Sequence, residues 1–187
     1  MTVSIALVGG AHIHTPGFIK RLKERSDVTM RLVWDHDAAR AEARASELDA
    51  KVTANLDEIW GDPEIRAVVI ASETDRHEDL VLAGAKAGKH MFIEKPLGIG
   101  AQDSARMAEA IQKAGVIFQT GYFMRGNPAY RFLREQIAAG AFGKVTRLRM
   151  VNAHSAEPFF TIAPVPRKTP RPSVTQPAMW TPGDNVV

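Results

Sequence analysis

The sequence predicts an α/β fold in which helices cover both faces of a doubly wound, mostly parallel sheet. Short apolar segments alternate with longer segments of helical spacing along most of the chain, which is typical of strand–helix–strand units. The strand-like segments are apolar almost throughout, as expected when both faces of a strand are buried. The first of them stops at Gly9-Gly10-Ala11, so a tight turn joins the first strand to the first helix.

The first half of the chain alternates strand and helix. Residues 3–8 are apolar and β-branched, which predicts a buried strand. Residues 15–25 have apolar side chains at helical spacing, and Pro16 is tolerated in a first turn. The next predicted elements are a strand at 28–34, a helix rich in Ala, Glu and Arg at 38–48, a short strand at 51–53, and a short helix through Trp60 that Asn55 caps.

The second half continues the alternation. Residues 65–71 predict another buried strand, and Thr74 or Asp75 is expected to cap a helix that runs to about Ala87. The remaining predicted elements are a strand at 90–93, a helix at 101–114 that Gly115 ends, a strand at 116–120, a helix from Asn127-Pro128 to Ala139, and a strand at 144–152.

These elements divide the chain into three segments. Residues 1–121 form the predicted Rossmann-type domain, and residues 122–152 form only the start of a second α+β domain. Seven of the 11 prolines lie in the last 30 residues, where neither strand nor helix periodicity is sustained. We therefore expect residues 153–187 to be an irregular, proline-rich tail.

Composition excludes several classes of protein. The 187 residues are 45% hydrophobic and 24% charged, an ordinary globular balance. A formal charge of +3 without a basic helix does not indicate nucleic acid binding, and the absence of cysteine excludes disulfides and thiolate metal sites. No leader-like start and no apolar run near the roughly 20 residues of a membrane span is present. We expect a soluble, cytoplasmic protein with no membrane or nucleic acid partner.

The turn after the first strand is an imperfect form of G-x-G-x-x-G, the loop that presents backbone amides to a dinucleotide pyrophosphate. Its residues are Gly9, Gly10, Ala11, His12, Ile13 and His14. Asp35 ends the next strand, where a carboxylate can accept both ribose hydroxyls of NAD and repel a 2′-phosphate. No arginine follows Asp35 directly, so NAD is favoured over NADP. Alternatively, Asp35 only caps the helix that begins near Ala38.

Glu94-Lys95-Pro96 directly follows the strand at 90–93. The carboxyl ends of parallel strands form the edge of the sheet where ligands bind. A lysine amine there can donate or accept a proton, although the same residue can be an ordinary surface lysine. Ser72, Thr74 and His77 follow the preceding strand in the same way and offer two hydroxyls and an imidazole to a cofactor. Taken alone, a histidine at the position of His77 is more often a packed helix residue than a functional one.

His12-Ile13-His14 also allows a metal site, because amidohydrolase barrels present two metal ligands at the end of a first strand in this way. Such a site needs further ligands from later strands, and the other histidines are only His36, His77, His90 and His154. We therefore predict no metal, and keep a metal-dependent hydrolase that uses His12 and His14 as an alternative.

Taken together, these segments resemble the N-terminal domain of the Gfo/Idh/MocA oxidoreductases. The order Glu94-Lys95-Pro96 is the most specific part of the resemblance, which covers residues 3–152. The segments that carry it are 8–11, Asp35, 72–77, 88–90, 94–96, 121–128 and 140–145.

The resemblance implies an NAD(P)-dependent oxidoreductase that transfers hydride between the nicotinamide and a sugar- or polyol-like substrate. Lys95 would be the catalytic lysine, hydrogen-bonded to the reacting hydroxyl, and a cis bond to Pro96 would orient it. Glu94 would contact the ribose near the nicotinamide, and Arg125 would lie beside the cofactor or substrate. The implied cofactor-binding residues are Gly9, Gly10, Ala11, His12, Ile13, Asp35, Ser72, Thr74, His77, Glu94 and Arg125.

Two features depart from the family pattern. His14 replaces the third glycine, which affects the close packing of helix and pyrophosphate. The family's second domain is an open sheet with an Asp-x-x-x-His pair, and no such pair follows Asn152. We therefore expect a truncated C-terminal domain, with most of the substrate pocket and of any homo-oligomer interface missing. The chain is then an active enzyme, a non-catalytic NAD-binding module or an inactive fragment.

Overall fold

The computed structural model describes residues 2–151. Met1 and residues 152–187 lie outside this part, and so does the predicted proline-rich tail. The chain divides into two compact units, Met1–Gly143 and Lys144–Val187. All helices and strands of residues 2–151 belong to the first unit. The predicted domain boundary after residue 121 stays a prediction.

Six parallel strands form the sheet that the sequence predicts. They are β1 Val3–Val8, β2 Val28–Trp34, β3 Lys51–Val52, β4 Ile65–Ile70, β5 His90–Ile93 and β6 Phe118–Thr120. Their spatial order is β3-β2-β1-β4-β5-β6, so the chain moves outward in one direction from β1 and in the other from β4. The carboxyl ends of β1 and β4 therefore flank the crevice where doubly wound sheets bind their ligands.

Helices connect the successive strands, as parallel pairing requires. They are α1 Thr15–Lys23, α2 Ala38–Leu48, α3 Leu56–Gly61, α4 His77–Lys86 and α5 Ala101–Ala114. A further helix, α6 Pro128–Ala138, follows β6. None of the helices within residues 2–151 is both long and apolar enough to cross a membrane.

Three helices begin or end at the residues that the sequence predicts at their ends. The side-chain oxygens of Asn55 and Asn127 accept the N–H groups of Asp57 and Ala129, each at 2.9 Å, and so cap α3 and α6. Gly115 ends α5 with a φ of 64°, in the left-handed region that glycine adopts without strain.

The core confirms that both faces of the sheet are buried. Ala6 and Val8 of β1 belong to one hydrophobic cluster, whereas Leu7 between them belongs to a second cluster. Successive side chains of a strand point to opposite faces, so the two clusters lie on opposite faces of the sheet. Ile70 and Ile93 also lie in the first cluster and are fully buried. This arrangement explains why the strands are apolar almost throughout.

The helix predicted from residue 74 begins later than expected. Thr74–Arg76 forms a 3₁₀ turn, closed by a bond from Arg76 N–H to the carbonyl of Glu73 at 3.1 Å, and α4 starts only at His77. No side chain caps either element. The cap predicted at Thr74 or Asp75 is therefore wrong, because a tighter 3₁₀ turn takes the place of a capped first turn.

The strand predicted at 144–152 is wrong for residues 144–151, which form neither strand nor helix. Leu148 and Met150 alternate with Arg147 and Arg149 as in a strand, yet both apolar side chains are exposed. A strand exists only when a neighbour accepts its hydrogen bonds, and within residues 2–151 the sheet ends at β6. The sequence pattern is present, but the pairing partner is not among the described residues.

Candidate functional site

The turn after β1 brings the backbone against the end of β4. Gly9 has a φ of +79°, a conformation that glycine adopts readily and other residues rarely. A Cβ atom on Gly9 would lie 2.6 Å from the Cα atom of Ser72, so a larger residue would force the two segments apart. The N–H of His12 donates to the carbonyl of Ala71 at 3.0 Å. The predicted positions Gly9, His12 and Ser72 therefore lie together.

The same turn carries backbone donors that could meet an anion. Within residues 2–151, the N–H groups of Ala11 and Ile13 have no acceptor, whereas the other N–H groups of the turn are bonded. Directly after them, α1 begins at Thr15, whose Oγ1 is buried and also without a partner in the described part of the chain. Unpaired amides beside a helix N-terminus are a suitable site for phosphate oxygens.

Asp35 ends β2 and faces the glycine-rich turn. Its Oδ2 accepts the N–H of Gly10 at 2.7 Å, and its Oδ1 accepts the N–H of Asp37 at 3.0 Å. Burial acts to raise the pKa of Asp35, but hydrogen bonds from Arg40, Asp37 and Gly10 outweigh burial and lower the pKa. Asp35 is therefore a carboxylate beside the turn, as the sequence predicts.

Asp35 does not cap α2. The cap is Asp37, whose Oδ1 accepts the N–H of Arg40 at 3.1 Å. The alternative reading of Asp35 as a helix cap is therefore wrong.

Arg40 is a site residue that the sequence argument missed. Its Nε and Nη2 each lie 2.7 Å from an oxygen of Asp35, and its Nη2 also donates to Glu73 at 2.9 Å. A basic residue was expected only directly after Asp35, whereas Arg40 lies in the first turn of α2. That turn places a side chain back over the end of β2. A basic residue in the first turn of α2 was therefore the sequence feature that could have predicted the contact with Asp35.

Lys95 follows β5 and reaches the glycine-rich turn. Its Nζ lies 3.4 Å from the Nε2 of His12, and its side chain is half-buried. In the sheet, β4 separates β1 from β5, so the two side chains meet above the end of β4. The structure therefore brings the candidate catalytic lysine to the crevice. The Lys95–Pro96 peptide bond is cis, as the resemblance implies.

Glu94 is buried and connects β5 with the turn. One of its oxygens accepts the N–H of Lys95 at 2.6 Å, and the other lies 3.1 Å from the Nδ1 of His14. The Nε2 of His12 is 3.7 Å from the carboxylate. A Cβ on Gly121 would lie 2.9 Å from Glu94, so the glycine after β6 leaves room for this side chain. Glu94 therefore bonds His14 and lies beside the ring of His12.

The tautomer of His12 follows from its contacts. The N–H of His14 donates to His12 Nδ1 at 3.2 Å, so a neutral ring carries its proton on Nε2, the atom that faces Glu94 and Lys95. Burial lowers the pKa of His12, and the charges of Lys95, His14 and His77 add to this effect while Glu94 opposes it. His12 is therefore poised as a neutral donor toward the crevice.

His12, His14 and Glu94 also form a cluster that could hold a metal ion, with ligand atoms within 4.8 Å of one another. Glu94 was not predicted as a third ligand, because the expected further ligands were histidines and aspartates. The atoms of this cluster lie against one another, however, and a metal would have to displace the proton on His12 Nε2 and the nearby amine of Lys95. The contacts favour a hydrogen-bonded network.

Three other predicted cofactor residues follow β4 and differ in accessibility. Ser72 is 2% exposed and its hydroxyl donates to the carbonyl of Glu73 at 3.3 Å. Thr74 is half-buried at the start of the 3₁₀ turn. His77 is fully buried, with Nδ1 3.0 Å from the carbonyl of Pro96 and Nε2 3.3 Å from that of Ser72. His77 thus links the end of β4 to the segment after Lys95.

Arg125 lies in the 3₁₀ turn Phe123–Gly126 that follows β6. Its side chain is exposed. Tyr122, beside this turn, accepts a long hydrogen bond from the N–H of Leu97 at 3.5 Å. This contact holds the segment after β6 near the segment after β5, and the contact of Arg125 with a cofactor or substrate stays a prediction.

These residues fit a dinucleotide. The close approach at Gly9, the unpaired amides of Ala11 and Ile13, and the carboxylate of Asp35 follow the chain order of a pyrophosphate loop and a ribose acceptor. Residues 3–122 match the model of the GFO_IDH_MocA oxidoreductase family, with an NAD-binding Rossmann fold. The chain belongs to the Gfo/Idh/MocA oxidoreductase family.

Similar proteins in this family include two inositol dehydrogenases. Myo-inositol 2-dehydrogenase of Thermotoga maritima is 41% identical over 101 residues, which are 54% of this chain and 30% of the relative. The scyllo-inositol 2-dehydrogenase (NAD(+)) of Bacillus subtilis is 38% identical over 60% of this chain and 33% of the relative. The crystal structure of an NAD-binding oxidoreductase from Klebsiella pneumoniae superposes with a TM-score of 0.66 and 27% identity, over 76% of this chain and 40% of that one.

The chain spans about a third of the length of the two curated relatives. The matched part holds the glycine-rich turn, Asp35 and the Glu94-Lys95-Pro96 segment.

Proposed function

We propose that the chain binds NAD in the crevice between β1 and β4 and contributes Lys95 to hydride transfer with a sugar- or polyol-like substrate. The observation that carries the proposal is the distance of 3.4 Å between Lys95 Nζ and His12 Nε2. It joins the lysine of the Gfo/Idh/MocA signature to the turn that presents amides to a dinucleotide. The inositol substrates named for two relatives make polyols the first compounds to test.

The choice of NAD rests on Asp35 and on one relative. Asp35 is a carboxylate at the end of β2, where it can accept ribose hydroxyls and where a 2′-phosphate would meet its charge. The Bacillus subtilis relative is an NAD(+) enzyme by name. We assign the pyrophosphate to the turn from Gly9 to Ile13. Further cofactor contacts proposed from the sequence are those of Ser72, Thr74, Glu94 and Arg125.

Lys95 is proposed to hold the proton of the reacting hydroxyl. When bound, the nicotinamide supplies the acceptor or donor of the hydride. Oxidation of a hydroxyl also releases a proton, which needs a path from the crevice. Glu94 and His14 form such a path, since the carboxylate of Glu94 lies 3.1 Å from the Nδ1 of His14 and the side chain of His14 is 42% exposed. We propose that the proton leaves Lys95 along these groups.

His77 receives a different role from the one predicted. Because it is fully buried between the carbonyls of Ser72 and Pro96, we propose that it positions the segment after Lys95 without touching the cofactor. A homo-oligomer stays a prediction from the family resemblance.

Isothermal titration of the chain with NAD tests the cofactor. We expect saturable binding that the Gly9→Ala substitution weakens, because the added Cβ would collide with Ser72. No binding of NAD to the folded chain would contradict the proposed function.

Turnover is tested separately, by formation of NADH with myo-inositol and scyllo-inositol. We expect Lys95→Ala to abolish turnover and to leave NAD binding within about threefold, because an amine that holds a substrate proton contributes mainly to the chemical step. Lys113→Ala, at an exposed position of α5, is the matched control and should change neither. Binding without turnover would identify an NAD-binding module instead of an enzyme. Turnover unaffected by Lys95→Ala would remove the lysine from the mechanism.

A further inference from the structure

The contact between Lys95 and His12 has a direction that a backbone group fixes. The N–H of His14 lies 3.2 Å from the Nδ1 of His12. A backbone N–H can only donate, so Nδ1 accepts with its lone pair. The one proton of the neutral imidazole is then on Nε2, the atom that lies 3.4 Å from the Nζ of Lys95. The ring of His12 therefore presents a donor to the amine, and no lone pair.

The surroundings of His12 keep its ring neutral. The side chain is 17% exposed, and burial lowers the pKa of the imidazole. Positive charges nearby act in the same direction, whereas the carboxylate of Glu94 opposes them. A neutral ring has a single N–H, and the N–H of His14 excludes it from Nδ1. The donor on Nε2 is therefore retained.

The amine of Lys95 can accept this proton only in its unprotonated form. An ammonium group has three N–H donors and no acceptor, so it would set two donors against each other at 3.4 Å. A free amine has one lone pair, which can accept the Nε2–H of His12. Within residues 2–151 no carboxylate forms an ion pair with the amine; Glu94 instead accepts the backbone N–H of Lys95 and contacts the ring of His14. The contacts therefore favour the free base.

We propose that His12 is a positioning residue for Lys95, which it holds as a free amine in the crevice. This role differs from the cofactor contact that the sequence resemblance implies for His12. It rests on the proposed function, in which Lys95 takes the proton of the reacting hydroxyl. In that step the O–H bond breaks, its proton joins Nζ, and the hydride on the same carbon passes to the nicotinamide. As an ammonium, Lys95 no longer accepts from His12 and is free to pass the proton on to Glu94.

Nuclear magnetic resonance of the chain without cofactor tests both protonation states. Nitrogen spectra of the histidine rings should show the proton of His12 on Nε2. With isotope-labelled lysine, the carbon next to Nζ distinguishes amine from ammonium, and the signal of Lys95 is the one that Lys95→Arg removes. At about pH 9, just below the ordinary range of lysine, we expect a larger amine fraction for Lys95 than for Lys113, which is exposed on α5.

Two substitutions of His12 separate the donor from the packing of the ring. His12→Phe keeps a ring without a donor and should lower the ratio of amine to ammonium at Lys95 about three- to tenfold, the effect of one hydrogen bond. His12→Gln keeps an N–H donor and should retain most of the wild-type ratio. The ratio at Lys113 should be the same in all three proteins. The tautomer of wild-type His12 can be read even if His12→Phe does not fold.

Turnover with NAD and a polyol gives a second measure. His12→Phe should lower kcat, with a change of no more than about threefold in the affinity for NAD, because the ring acts on the amine. His12→Gln should recover most of the lost rate. Lys113→Ala is the control and should change neither quantity.

The outcomes distinguish this role from the proposed function. A proton on Nδ1 of His12, or an amine ratio at Lys95 that His12→Phe leaves unchanged, refutes the positioning role; the proposed function then stands if NAD binds and turnover needs Lys95. Loss of NAD affinity in both His12 variants, without a change in the amine ratio, returns His12 to the cofactor contacts. If NAD does not bind the wild-type chain, the proposed function is wrong and the role of His12 in it fails too.

Discussion

The amine of Lys95 lies 3.4 Å from the Nε2 of His12, although 83 positions separate the two residues in the chain. β1 delivers His12 and β5 delivers Lys95, on either side of β4. A parallel sheet places the carboxyl ends of all its strands at one edge, so two distant motifs share one crevice. This relationship places the candidate catalytic lysine beside the turn that forms part of the proposed cofactor site.

His12→Asn should flatten the pH dependence of stability just below neutral pH. The pKa of His12 is lowered in the folded chain, first by burial, so the unfolded chain binds the proton more readily. Stability is then full above the unfolded value of 6.5 and falls as the pH drops through that value toward the folded pKa. Urea unfolding at about pH 7.5 and pH 5.5 measures the difference. A wild-type protein that gains stability on acidification over this range would contradict the prediction.

Gly9→Ala should destabilise the fold by about 2–5 kcal/mol, as a sum of backbone strain and overpacking. Gly9 has a φ of +79°, and its Cβ would lie 2.6 Å from Ser72. Gly88→Ala is the matched control, since Gly88 has a φ of +68° but an open environment, and it should cost only about 1–2 kcal/mol. Equal costs in denaturant titrations would show that contact with Ser72 does not decide the choice of glycine.

Much of the fold was predictable because local chemistry and burial agree. Strands that are buried on both faces are apolar throughout, so β1 and β2 were predicted with their observed bounds. Helix ends that carry a capping residue, such as Asn127 and Gly115, were equally predictable from the sequence. The strand predicted near residue 150 failed for the opposite reason: its alternation is local, but a strand depends on a partner that local sequence does not name.

The candidate site was predictable in its positions and not in its contacts. Motif spacing placed Gly9, Asp35 and Lys95 at one edge of the sheet, and the structure joins the turn to Asp35 and to Lys95 through hydrogen-bonding contacts. The role of Arg40 could not be read in the same way, because the pairing of a helix side chain with a strand end depends on how the helix packs. The same holds for Glu94, whose contacts with two histidines come from tertiary structure.

His77→Ala should lower stability by about 2–4 kcal/mol, because it leaves a cavity and removes hydrogen bonds to buried carbonyls. His77 is fully buried and lies next to the carbonyls of Pro96 and Ser72. Lys86→Ala, at the exposed end of the same helix, should cost little. A loss of NAD affinity with no loss of stability would instead show that His77 contacts the cofactor, as the sequence resemblance implies.

Asp35→Asn should destabilise the chain at neutral pH and reduce its sensitivity to acid. The pKa of Asp35 is lowered in the folded state, where bonds from Arg40 and two backbone groups outweigh burial. The stabilisation from Asp35 is therefore present above its unfolded value of 3.8 and is lost as the pH falls through the lower, folded pKa. At neutral pH the loss should be about 1–3 kcal/mol, since a buried charged acceptor is removed while Arg40 remains. Asp27→Asn, in the exposed pair with Arg25, is the control and should have a smaller effect, because solvent screens exposed pairs. Urea titrations of the wild-type chain and of the two variants, at neutral pH and near pH 3, measure these differences in the free energy of unfolding. An equal response of the two variants would show that the Arg40–Asp35 pair contributes no more than a surface ion pair.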